Sequence, residues 1–353
     1  MEKIVTFKFI LFKISLKVIY NIIYNIKMKD LTYYNEAASI CGKVYNELKI
    51  DILNGERSVK KLSLKGDNRI LEELSCVYKK KQIGSFKNIA YPVSISLNNC
   101  ISNYVYDENE EFNTITNNSV IKIELGVVIS GCVSILAETF TINENKQIED
   151  INKFLQHLQK EILQMTYHEQ TADEIRMYIE SQCTENEVFP IENCTSHQHE
   201  KEFLHTEDSK YTILNYKKYY DKNDILVSSE NINYEFEKDD IYTINLTVIP
   251  ESDENIKYKN LEESHIYHFN EIEYALKLKS ARTFYNDVKS KHSNYAFLAN
   301  DFSTYKYKIG IKECLTHNIL NKLPIIYLNK NIPVITKKFT IIIGKDKSNI
   351  LTY

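Results

Sequence analysis

Tryptophan is absent from these 353 residues, and glycine (8), proline (5) and methionine (4) are scarce. With so few glycines and prolines there is no room for a long flexible linker, and no short-period repeat is present. Cysteine pairs are missing as well. The seven cysteines (41, 76, 100, 132, 183, 194 and 314) are odd in number, widely spread and never in a CxxC. That pattern excludes a disulfide framework and a structural zinc site, and it fits a reducing compartment. The formal net charge of −4 gives no global attraction to nucleic acid, so any such contact needs a local basic patch. Long hydrophobic runs are lacking too. Residues 1–27 are apolar, but Lys8, Lys13 and Lys17 interrupt each run, short of the roughly 20 apolar residues of a spanning helix. No small-residue cleavage site follows. Residues 1–28 therefore read as an extension, disordered or a translated leader ahead of a start at Met28; an amphipathic surface helix is the alternative.

What is present belongs to a soluble globular chain, 43% hydrophobic and 26% charged. Helical spacing marks 33–49, 59–80, 148–169, 171–183, 270–291 and 307–322. Period-two alternation marks 91–100, 120–140, 240–250 and 334–344. These elements are grouped rather than strictly alternating, which predicts an α+β architecture with a mainly antiparallel sheet and one domain over 29–353. Abundant Asn, Ile, Lys and Tyr are what an AT-rich coding sequence produces, so a lone Lys or Asn carries little information.

The stretch VIKIELGVVISGCVSILAETF, 120–140, reads as a hairpin turning at Ser130-Gly131. A two-residue turn sets Glu124 opposite Ala137, with Ile135 as its diagonal neighbour on the same face. A carboxylate among Ile, Val, Leu and Ala is costly without a cation or a proton. It needs a metal or another part of the chain.

Eight segments occur in an order that resembles a known family: LSLKGDNRILEE (62–73), IAYPVSISLNNC (89–100), IKIELGVVISG (121–131), SHQ (196–198), EFEKDDIYTINL (235–246), LKLKSARTFYNDV (276–288), IGIKECLTHNIL (309–320) and KFTIII (338–343). The sequence is similar to the proliferation-associated and ErbB-receptor-binding proteins, non-peptidase relatives of type II methionine aminopeptidase. The resemblance implies the creatinase/methionine aminopeptidase "pita-bread" fold, α+β with an antiparallel sheet and a type II helical insert at about 260–322.

Active enzymes of that fold hold two divalent ions on five side chains. Carried over, those positions fall on Glu124, Ile135, Cys194, Asn245 and Lys338, and the family's catalytic histidine falls on Asn103. One carboxylate, an aliphatic side chain and an ammonium do not offset the repulsion of two hard cations. At 4 Å and an effective dielectric near 20, an added like charge costs about 4 kcal/mol. The resemblance thus implies a pseudo-enzyme with no metal and no cofactor. Lys338 either reaches across the old cavity to pair with Glu124, or turns to solvent and leaves Glu124 protonated or held by water. Cys194 with His197, His199 and His205 offers a thiol and a base, but spacing fixes no orienting acid.

Two basic clusters interleave with aromatics: Lys79, Lys80, Lys81 and Lys87, then Lys277, Lys279, Arg282, Lys289 and Lys291. A solvated helix face is the plain reading. The resemblance implies contact with rRNA and exit-tunnel proteins of the large ribosomal subunit, or with its precursors in ribosome biogenesis. It also implies a monomer off the membrane, in the cytoplasm and in some members the nucleus or nucleolus. The rivals are a divergent methionine aminopeptidase and a peptide- or protein-binding module using the vestigial pocket.

Overall fold

The computed structural model of the chain describes residues 30–79, 86–106, 114–191, 194–199, 212–213, 218–220, 226–228, 233–251, 258–261, 265–270, 272, 274–298 and 305–351. The extension 1–28 lies outside them. No helix among the described residues is long and apolar enough to cross a membrane.

Helix α1 covers 30–53 and α2 covers Val59–Cys76. The α2 helix starts at Ser58, whose side chain accepts the N–H of Lys61 and so closes a first-turn donor. It buries Val59, Leu62, Ile70 and Leu74, one stripe at helical spacing. Strands β1 (Lys87–Leu97), β2 (Cys100–Ser102), β3 (Val120–Ile129) and β4 (Cys132–Thr141) follow. At the β3–β4 turn both Ser130 and Gly131 adopt positive φ (53° and 81°), the conformation that matches the twist of a two-residue hairpin. The register sets Glu124 opposite Ala137 and Gly126 opposite Ile135, as the alternation predicts. Ile121, Ile123, Leu125, Val127 and Ile129 point to the helix side and share a core with α1 and α2.

Helices α3 (Lys146–Met165) and α4 (Ala172–Glu185) come next. Thr171 and Glu174 form a capping box at the start of α4, closing two N–H groups reciprocally. Short strands β5 (Phe189–Pro190), β6 (Ser196–Gln198), β7 (Thr212–Ile213), β8 (Lys218–Tyr220) and β9 (Leu226–Ser228) lead to β10 (Ile241–Ile249). Tyr242, Ile244, Leu246 and Val248 of β10 pack with Ile148, Ile151, Leu155, Leu158 and Ile162 of α3. Each buried aliphatic side chain there contributes roughly 1.5–3 kcal/mol, more than propensity gives a helix of this length.

Next come β11 (Tyr258–Leu261), β12 (Ile266–Phe269), α5 (Lys279–His292), β13 (Phe297–Leu298), α6 (Tyr305–Thr316), β14 (Leu320–Lys322), β15 (Ile325–Leu328), β16 (Ile335–Ile342) and β17 (Asn349–Ile350). The main sheet runs β1-β3-β4-β16-β10-β6-β7, with β17 on β16 and β5 on β10; its pairings are antiparallel. Both helix pairs cover one face of it, leaving the other concave. The helical spacing over 270–291 and 307–322 overshoots. The described residues before Lys279 are not helical, and Leu320–Lys322 join a small sheet ordered β13-β12-β14. Phe269, Phe297 and Leu320 of those strands belong to the same core as Phe284 and Val288 of α5, so the apolar residues there serve strands as well as helices.

At the α5–α6 crossing, an added Cβ on Gly310 would lie 2.8 Å from the Phe284 Cβ and 3.1 Å from the Ser280 carbonyl oxygen. Gly310→Ala is therefore expected to destabilise the chain by about 1–3 kcal/mol, read as a lower urea midpoint. An unchanged midpoint would mean that the helices part freely.

Candidate functional site

Antiparallel register lines up a row across the concave face: Ser94, Glu124, Ala137, Lys338 and Asn245, each opposite the next on β1, β3, β4, β16 and β10. Glu124 and Lys338 stand two strand spacings apart, roughly 10 Å, with the smallest chiral side chain between them. The lysine chain crosses above Ala137, and its Nζ donates to Glu124 Oε1 at 2.6 Å. The two side chains are 16% and 12% exposed, so the charges neutralise each other largely out of water. Lys338 thus pairs with Glu124 rather than turning to solvent.

The other carried-over positions surround this pair without adding anionic oxygen. Ile135 packs over Gly126, and its backbone N–H donates to Thr340 Oγ1 at 3.1 Å. Asn245 Oδ1 accepts the Thr247 hydroxyl at 2.7 Å, and its backbone N–H donates to Ser196 Oγ at 2.8 Å. Burial pushes the Cys194 thiol up to about 11; the Lys338 ammonium and a hydrogen bond with Thr247 draw it down, and Glu124 pushes it up. A thiol held that high is protonated at neutral pH, unsuited as a nucleophile. Asn103, at a positive φ of 64°, accepts the Tyr91 hydroxyl at 2.5 Å and donates to the Pro324 carbonyl at 2.7 Å. It is a structural clamp here. One carboxylate already bound to an ammonium, an amide, a thiol and an aliphatic chain do not fit a pair of divalent ions. Among the described residues no group of three or more His, Cys, Asp or Glu is placed to hold a metal.

Lys122 and Tyr91 of this face were not singled out from the sequence. Lys122 lies two residues before Glu124, so alternation alone puts it on the same face. It is buried, burial lowers its amine to about 8, and its Nζ donates to the Asn98 carbonyl at 3.0 Å. Tyr91 is held well above the usual phenol range, first by burial and then by the Glu124 carboxylate. His197 and His199 stack with ring centres 5.7 Å apart, and His199 Nε2 meets Thr243 Oγ1. His205 lies outside the described residues.

The basic residues fall into two places. Lys80 and Lys81 lie outside the described residues, and Lys79 is exposed. Lys87 donates to the carbonyls of Leu74 and Val77 at 2.8 and 2.6 Å, finishing the end of α2. Asn88 donates to the Lys291 carbonyl at 2.6 Å, which fastens the end of α5 to β1 on the face opposite the one where Lys87 meets α2. Lys277, Lys279 and Arg282 sit at the opposite end of α5, roughly 20 Å away by helix rise. Lys289 is turned onto Asn294, over the Phe269 ring.

Removing the cation tests the pair. Lys338→Met leaves Glu124 without its partner and is expected to cost roughly 3 kcal/mol, most of it restored by Glu124→Leu in the same chain. Urea unfolding of the four proteins reads the coupling; additive losses would mean the pair contributes nothing. Burial lowers His199 from 6.5 to about 3, so between those values the unfolded chain binds a proton that the fold excludes. Stability is therefore expected to fall as pH drops from 6.5 towards 3, by up to about 1.4 kcal/mol per pH unit. His199→Gln should flatten that slope in denaturation midpoints taken across the window.

No family model matches the chain. It is 22% identical over 331 residues to ERBB-3 BINDING PROTEIN 1 of Arabidopsis thaliana, covering 91% of this chain and 80% of that one. A thermophilic Arx1 superposes with a TM-score of 0.74 at 21% identity, over 92% of this chain and 90% of that chain. The methionine aminopeptidase of Rickettsia prowazekii superposes with a TM-score of 0.57 at 10% identity, over 92% and 98%, a likeness of fold. Its pita-bread architecture is that of the methionine aminopeptidases, and over most of its length the chain is similar to the proliferation-associated and ErbB-3-binding proteins.

Proposed function

We propose that the chain is a binding protein on a peptidase fold, without peptidase activity, and that it associates with the large ribosomal subunit near the polypeptide exit tunnel or with precursors of that subunit. The observation that carries the first half is the Lys338–Glu124 ion pair at 2.6 Å. Glu124 is the carboxylate that the family resemblance assigns to metal binding. With an ammonium on it and no further anionic oxygen among Ile135, Cys194, Asn245 and Asn103, the face has neither the charge nor the geometry to activate a water.

The second half rests on the family resemblance, supported by the basic groups at both ends of α5. Lys79 and Lys87 stand at the end of α2, Lys291 at the end of α5, and Lys277, Lys279 and Arg282 at the start of α5. Such groups give salt-dependent affinity for phosphates without reading bases. The function is that of a monomeric docking factor in the cytoplasm or nucleus.

Co-sedimentation tests the partner. The full chain is expected to pellet with large subunits at low salt, and Lys277→Glu, Lys279→Glu and Arg282→Glu together should release it. Retained pelleting would remove this end of the insert from the contact surface. Cobalt- or manganese-supplemented protein is expected to release no methionine from a Met-Ala-Ser peptide; turnover would restore the metallopeptidase reading.

A further inference from the structure

The start of the insert combines features that phosphate binding alone does not use. Leu278 and Ile309 are 47% and 40% exposed. The α6 helix runs antiparallel across α5: Tyr307 meets Asp287, Gly310 lies against Ser280 and Ala281, and Glu313 reaches Lys277 and Leu278. Leu278 and Ile309 thus flank the same end of one crossing. Leu278 also occupies the N-cap of α5 and makes no side-chain cap bond, at a position where Ser, Thr, Asp or Asn serves the helix better. Neither the helix nor the core gains from an exposed leucine there.

Cations stand on the same two segments, and the Arg282 guanidinium donates to the Leu276 and Lys277 carbonyls beside Leu278. Lys277, Lys279 and Arg282 approach from α5, and Lys308 and Lys312 from α6, all exposed. Of the two carboxylates on these helices, one lies away from the spot and the other is committed to the backbone at the start of α5. Asp287 accepts the Tyr307 hydroxyl at 2.6 Å more than two turns away, and Glu313 accepts the backbone N–H groups of Lys277 and Leu278 at 2.8 and 3.2 Å. Five cations against the one carboxylate of Glu313 leave the aliphatic pair in a net positive field.

We propose that this end of the insert docks an acidic amphipathic segment of a partner protein, a helix carrying one aliphatic stripe between rows of Asp or Glu. The proposal rests on the docking-factor reading above and names the partner class for the α5–α6 end of the insert. RNA would satisfy the cations and leave Leu278 and Ile309 in water, since phosphate contacts use no aliphatic surface. An acidic helix covers both at once, its stripe on the aliphatic pair and its carboxylates on the lysines. The basic residues at the far end of α5 remain open to rRNA.

Fluorescence anisotropy on the full chain tests this with three probes: a labelled helical 20-residue peptide with a Leu stripe and Glu flanks, the same peptide with Ser in place of the stripe, and an RNA hairpin. The acidic Leu peptide is expected to bind, and the Ser peptide to bind roughly tenfold more weakly or worse. Leu278→Ser with Ile309→Ser should weaken the Leu peptide to a similar extent, with the melting temperature and the hairpin affinity unchanged. Overturning results are equal binding of the two peptides, no peptide binding, or peptide affinity that responds to charge reversal alone. Hairpin affinity that falls in the aliphatic double variant would also overturn it, because RNA would then occupy the spot. Large-subunit pelleting is measured on the same proteins. If the chain pellets while the peptide results fail, the docking reading stands and the acidic partner is wrong. If the unsubstituted chain does not pellet, the docking reading itself fails.

Discussion

A buried carboxylate must have its charge answered, and in this chain a lysine two strands away answers it. Glu124 faces the concave side because β3 alternates. The alternation is locked because one face of the hairpin is committed to the core under α1 and α2, and a one-residue slip would turn every side chain over. Lys338 reaches it because residue 137 is alanine; a larger side chain would block the path of the lysine. From this follows the character of the whole face. Asn245, Thr247, Ser196 and Thr336 hydrogen-bond to one another, and the Cys194 thiol beside them stays protonated. The Glu124 charge is answered from within the chain.

Much of this was legible in the sequence for a definite reason. Residues 120–141 are two β-branched runs around a Ser-Gly turn, so strand, turn type and register follow from local rules, and Glu124, Ala137 and Ile135 come out in their observed relation. The pairing with Lys338 is separated by 214 residues and was reached through family resemblance, which supplied the neighbour that local rules do not. Where apolar residues served two elements at once, legibility failed. Over 270–278 and 317–322 the apolar spacing suits a helix, yet those residues supply or flank the small sheet against α5. Tertiary pairing overrode periodicity.

Basic residues illustrate a second limit. A run of lysines gives charge but not its use. Lys87 closes the carbonyl end of α2, and Lys289 is drawn onto Asn294 and Phe269, so both have work inside the fold that composition does not disclose. The fastening of the end of α5 to β1 through Asn88 and the Lys291 carbonyl joins residues 203 apart in sequence and has no local signature. His197 and His199 stand at strand spacing. Their stacking, and the burial of His199 against Thr243 of β10, only the fold supplies.

The junction of β4 and β16 is where the two helix-backed parts of the main sheet meet, and Lys338 opposite Ala137 is the backbone pairing found there. Around it, the Thr139 and Thr340 hydroxyls bond the backbone of the facing strand. Lys337 and Lys338, adjacent in sequence and pointing to opposite faces, grip Glu138 on the helix side and Glu124 on the concave side. An ordinary ladder of amides is blind to which amino acids it joins. This seam reads them, so the alignment of the two parts of the sheet is written in hydroxyls and charges. Drift in sequence that a regular ladder would absorb would here unfasten one part from the other.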